Sequence, residues 1–132
     1  MNRRGFLFQG FAALAASAAN AQRRPATIGV LSTGTPATDR TRLPSFRDGL
    51  AERGLIEGAG YRFEYRGAGG DPSRLVEYAN ELIALKVDII VTFGGPASAR
   101  VAVTASRNIP VVFAGADDSA ITDLIPGAIN RP

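Results

Sequence analysis

The sequence predicts an α/β domain, an open parallel sheet covered by helices, and three observations carry that prediction. Short apolar, β-branched runs alternate with segments of helical periodicity from Ala26 onward. The first run, Thr27-Ile28-Gly29-Val30-Leu31, is nearly all apolar, as a strand buried on both faces requires. Small polar residues follow the strands, where an open sheet of this kind places its ligand crevice. Strands that alternate with helices pair in parallel and bury both faces of the sheet.

Taken in order, the first strand is expected over Ala26 to Leu31 and the first helix over Leu43 to Arg53. Leu43, Phe46 and Leu50 form one stripe of that helix, and Gly54 is placed to end it in the left-handed conformation. Tyr61 to Arg66 alternates aromatic and charged residues, which suits a half-exposed edge strand. Asp71-Pro72 then supplies a side-chain acceptor and a proline at the first helical position. The helix it opens runs to about Lys86, with Leu75, Tyr78, Ala79, Leu82 and Ile83 on the sheet-facing stripe. Asp88 to Phe93 makes a third strand, Pro96 to Arg107 a third helix and Pro110 to Ala114 a fourth strand, with one or two helical turns over Ser119 to Leu124.

Composition closes several routes to chemistry. The chain has no Cys and no His, so imidazole- or thiol-based triads and zinc sites with nitrogen or sulfur ligands are excluded. No cofactor or metal is expected, and an enzyme is the third choice, because only carboxylate, Ser or Lys chemistry remains and Lys86 is the sole lysine. The hydrophobic fraction of 45% with 20% charged residues is that of an ordinary globular protein.

The first 21 residues read as a signal peptide. Arg3 and Arg4 give a positive start, Phe6 to Ala19 an apolar stretch, and Ala19-Asn20-Ala21 a small-x-small cleavage site before Gln22. The stretch is shorter than the roughly 20 residues of a membrane span, so a permanent anchor is the weaker reading. Asn2-Arg3-Arg4-Gly5-Phe6-Leu7 resembles the twin-arginine export signal, with the general secretory route as the alternative. Either route predicts contact with the export machinery and a periplasmic address. Removing 21 of 132 residues leaves a mature domain of 111, residues 22–132. It loses Arg3 and Arg4 from 15 basic residues, so 13 face 12 acids and nucleic acid is not an expected partner. Arg40, Arg42, Arg47 and Arg53 are interleaved with Asp39, Asp48 and Glu52, as on a solvated helix face.

Candidate binding residues are those after the strands: Ser32-Thr33-Gly34-Thr35, Gly94-Gly95-Pro96-Ala97-Ser98 and Gly115-Ala116-Asp117-Asp118. The second segment opens a helix, whose N-terminus favours a carboxylate or phosphate, although Gly94 and Gly95 equally suit a tight strand-to-helix turn. Gly67-Ala68-Gly69-Gly70 lacks the spacing of a dinucleotide fingerprint and is expected to be a flexible loop. Asp117 and Asp118 suit contact with a ligand hydroxyl or amine better than a metal.

Together these residues resemble the bacterial ABC transporter substrate-binding proteins of the tryptophan/tyrosine type, which have the type I periplasmic binding fold. The matching pieces are the Arg3-Arg4 signal, Ile28-Gly29-Val30-Leu31-Ser32, Phe46-Arg47-Asp48-Gly49-Leu50 with Gly54, and Glu64-Tyr65-Arg66 with Arg74-Leu75. Asp88-Ile89-Ile90-Val91, Pro96-Ala97, Ile109-Pro110-Val111-Val112-Phe113 and Asn130-Arg131-Pro132 continue the match. The resemblance implies strand order 2-1-3-4 and a role as the solute-binding component of an ABC importer, an amino acid being one candidate solute. By the same resemblance, Ser32, Thr33, Gly95, Ala97, Ser98 and Asp117 are the ligand contacts. Gly95 stands where the family often carries a hydroxyl residue. Against the family pattern the second lobe is absent, so the chain is expected to be a truncated form or fragment that meets a permease only as part of a two-lobed protein. A lone lobe is expected to bind solute no tighter than roughly millimolar and to self-associate through its fourth strand. The competing function is a small exported α/β regulatory or interaction domain without ligand.

Overall fold

The computed structural model of the chain describes residues 24–114. The expected signal peptide, the helical turns over Ser119 to Leu124, Asp117, and whatever follows the fourth strand lie outside the described residues. In chain order the elements are β1 (Ala26–Ser32), α1 (Arg42–Glu52), β2 (Tyr61–Gly67), α2 (Pro72–Ala84), β3 (Ile89–Phe93), α3 (Pro96–Ala105) and β4 (Val111–Phe113), with a short 3-10 turn (Thr38–Arg40) before α1.

The strands form one parallel sheet in the order β2-β1-β3-β4, as the resemblance implied. Val30 in the central strand lies beside Tyr65 on one side and Val91 on the other. Because side chains alternate across a strand, the sheet sorts its residues into two cores. Leu31 and Ile90 pack with Leu75, Ala79 and Leu82 of α2 and Ala102 of α3. Ile28, Val30, Tyr61, Val91 and Phe93 face the other way, against Leu43, Phe46 and Leu50 of α1. Both helical stripes read from the sequence therefore meet the sheet as expected.

Gly29 fits the first face by having no side chain. A Cβ there would lie 3.2 Å from both Leu82 methyl carbons and from Val87 Cγ2, so the missing atom sets how closely α2 approaches β1. Asp71 caps α2 as expected: its carboxylate accepts from the Ser73 N–H at 3.0 Å, and Pro72 takes the first turn.

Helix ends account for most of the differences from the sequence reading. Gly54, at φ 80°, ends α1 in the left-handed conformation expected of it. By contrast, α2 stops at Ala84 rather than near Lys86, because Lys86 itself turns left-handed at φ 54°. Lys86 N–H donates to the Ile83 carbonyl at 3.0 Å and Val87 N–H to Leu82 at 3.4 Å. This is the Schellman pattern, sealed by the apolar pair Val87 and Leu82. Helix α3 stops at Ala105 rather than Arg107, since Ser106 is extended and its hydroxyl donates to the Ile109 carbonyl at 3.1 Å. Strand β4 is shorter than Pro110 to Ala114, yet Pro110 O and Ala114 N–H still bond to Ile90 and Thr92 of β3.

Candidate functional site

At the carboxyl end of the sheet the loops after β1, β2 and β3 are joined by main-chain hydrogen bonds. Thr33 N–H donates to the Phe93 carbonyl at 3.2 Å, and Gly69 and Gly70 N–H groups donate to Gly34 and Thr33 at 2.9 and 2.7 Å. The Gly67-Ala68-Gly69-Gly70 segment, expected to be a flexible loop, is instead tied into this network, with Ala68 buried beneath it.

Beside the network lies a cavity of about 660 Å³, lined by Thr41, Arg42, Ser45, Phe93, Gly94, Gly95 and Ala114. Its position beyond the carboxyl ends of β3 and β4 is where an open parallel sheet binds ligands. The floor is apolar at Phe93 and Ala114; the rim carries hydroxyls, bare backbone and one guanidinium. Gly95 precedes the first turn of α3, and no side chain caps that helix, so the exposed start of α3 favours an acceptor or anion.

The residues proposed from sequence divide sharply. Gly95 lines the cavity. Thr33 is half-buried, its hydroxyl donating to the Gly94 carbonyl at 3.0 Å, and so it pins β1 to the glycine turn. Ser32 and Ser98 are fully buried. Ser32 Oγ accepts from the Gly34 N–H at 3.0 Å, and the Ser98 hydroxyl bridges to the carbonyls of Phe93 and Gly95 at 2.9 and 3.1 Å. Ala97 is exposed in the first turn of α3. Asp117 lies outside the described residues.

Sequence reading missed Thr41, Arg42 and Ser45, the start of α1. The available signal was topological: the helix after β1 begins on the same side of the sheet as the glycine turn after β3. It also missed Asp39, which is fully buried despite its place in a charge-rich segment. Tyr65 from β2 donates its hydroxyl to Asp39 Oδ2 at 2.6 Å, while Asp39 Oδ1 has no hydrogen bond and lies 3.7 Å from Arg42 Nη1. Burial, reinforced by the bond to Asp39, pushes the Tyr65 phenol far above its ordinary range. Among the described residues there is no cluster of acids that would hold a metal ion.

Residues 30–132 match the family model for ABC transporter substrate binding proteins. The chain belongs to that family. Among solved structures this family member is similar to a conserved domain protein from Vibrio cholerae, with 30% identity, a TM-score of 0.67, and 77% of this chain covered against 34% of that one. An ABC domain from Streptococcus pneumonia in complex with L-Trp matches at 24% identity and TM-score 0.67, covering 77% and 34%. A solute binding protein of an ABC transporter from Rhodopseudomonas palustris, in complex with 3,4-dihydroxybenzoic acid, matches at 20% identity and TM-score 0.60, covering 76% and 30%. The last two share the fold of this chain, which spans about a third of the length of all three. No curated protein sequence matches it.

Proposed function

We propose that this chain supplies one wall of a solute cleft for an ABC importer and acts in the periplasm after removal of residues 1–21. The supporting observation is the cavity at the carboxyl end of the sheet, with an apolar floor at Phe93 and unobstructed backbone at Gly94 and Gly95. Such a mixture of apolar lining and a few polar groups suits a small organic solute. The ligands carried by the Streptococcus and Rhodopseudomonas proteins, an aromatic amino acid and an aromatic acid, make an aromatic solute the first choice here.

In this reading Gly95 and Ala97 face the solute, Thr33 holds the glycine turn in place, and Ser32 and Ser98 stiffen the loops from within. Asp117 remains a proposed solute contact on the family resemblance. The ABC permease is the partner of the complete two-lobed assembly. The chain itself does no covalent chemistry; it holds and releases.

Titration of the isotope-labelled chain with L-tryptophan and 3,4-dihydroxybenzoate, followed by amide NMR, tests the reading. The Gly94, Gly95 and Ala97 signals are expected to shift with saturation in roughly the millimolar range. Shifts confined to residues away from the cavity, or none at all, would refute it. The mass of the exported protein checks the address, with Gln22 as the expected first residue.

A further inference from the structure

We propose that Arg42 is a specificity-determining residue of the cleft, its guanidinium selecting solutes that carry a carboxylate. The inference rests on the solute-cleft reading above and adds to it the charge of the solute. Arg42 is the sole charged side chain among the described residues that line the cavity. It projects from the first residue of α1, and its side chain keeps 57% of its surface exposed.

What holds it there is buried. Asp39 has no exposed surface, its Oδ2 is fixed by the Tyr65 hydroxyl at 2.6 Å, and its Oδ1 is directed to Arg42 across 3.7 Å. That separation is attractive but too long for a hydrogen bond. Asp39 thus anchors the guanidinium electrostatically without consuming its N–H donors, and the planar fork remains free to grip a carboxylate with two parallel bonds. Across the cavity the uncapped start of α3 adds positive partial charge at Gly95. A solute with an anionic group meets donors from two elements here, whereas its neutral amide meets only part of them.

The test compares 3,4-dihydroxybenzoate with 3,4-dihydroxybenzamide, which has the same ring and no charge, by amide NMR titration of the full chain read at Gly94 and Gly95. The acid is expected to bind about tenfold more tightly than the amide, the worth of one charge-assisted contact. In Arg42→Gln the two affinities should converge, and Arg42→Lys should retain part of the preference, since an ammonium keeps the charge and loses the fork. Equal binding of acid and amide by the unaltered chain would overturn the assignment while leaving the cleft reading intact, and this arm needs no variant. An acid preference unchanged in Arg42→Gln would overturn it too. If neither compound moves Gly94 or Gly95, the cleft reading falls and takes the inference with it.

Discussion

On the face of the sheet covered by α2 and α3, Leu31, Leu82 and Ile90 have no exposed surface. On the opposite face α1 is the one helix among the described residues and has no buried residue of its own, and Val112 in β4 is 44% exposed. The first face is aliphatic and closed by two helices that also pack on each other. The second is aromatic, with Phe46 set against Phe63 at 5.7 Å and edge-on to Phe93 at 6.1 Å, and it opens at one end into the cavity. One face carries the stability, and the other trades coverage for access.

The contrast predicts unequal costs for comparable truncations. Leu82→Ala removes a fully buried side chain from the closed face and should cost about 2–5 kcal/mol in chemical denaturation. Phe46→Ala deletes a larger but half-buried side chain from the open face, where solvent already reaches, and should cost about 1–2 kcal/mol. Equal losses would show that α1 is as integral to the core as α2 and would erase the distinction.

A second difference is polar. The open face carries the hydrogen-bonded pair of half-buried Tyr65 and buried Asp39. Tyr65→Phe should cost about 1–3 kcal/mol, because it leaves Asp39 Oδ2 without its donor. It should also change the alkaline limb of stability. The folded-state phenol holds its proton above the ordinary value of 10.0, so the unfolded chain releases that proton first as pH rises. Stability from this group is therefore complete below pH 10 and falls as pH climbs past it. The variant should lose that portion of the decline, measurable as a shallower drop in Tm between neutral and strongly alkaline solution.

The smallest effect is expected at the end of α2. Lys86 adopts φ 54°, a region that costs residues with a side chain. Lys86→Gly should relieve the strain and raise stability by up to about 1 kcal/mol. A loss instead would mean that the lysine stem covers part of the closed face.

The same division explains what the sequence made legible. Leu75, Ala79 and Leu82 repeat at helical spacing, and the first strand is apolar throughout, so the closed face and the strand order were readable from local pattern and family resemblance. Helix ends were less so: without a glycine at position 86, nothing local marked the Schellman turn that the Val87 and Leu82 contact stabilises. At the site, hydroxyl residues after a strand suggested ligand contacts, but Ser32 and Ser98 spend their hydrogen bonds inward on the backbone. Arg42 and Asp39 looked like members of a solvated charge run. Asp39 is paired with Tyr65, 26 residues further along the chain, and no local periodicity reports a pairing of that kind.

The main-chain stitching of the three loops has a consequence for how such a cleft changes over generations. Thr33, Gly34, Gly69, Gly70 and Phe93 are joined through N–H and carbonyl groups, which do not depend on the side chains at Thr33 and Phe93, while Gly69 and Gly70, at φ 62° and 85°, favour glycine. The platform is thereby insulated from most drift in the side chains that project from it. Thr41, Arg42 and Ser45, which stand on the rim outside that lattice, are free to vary one at a time, so in the proposed cleft a lineage could retune selectivity without rebuilding the platform.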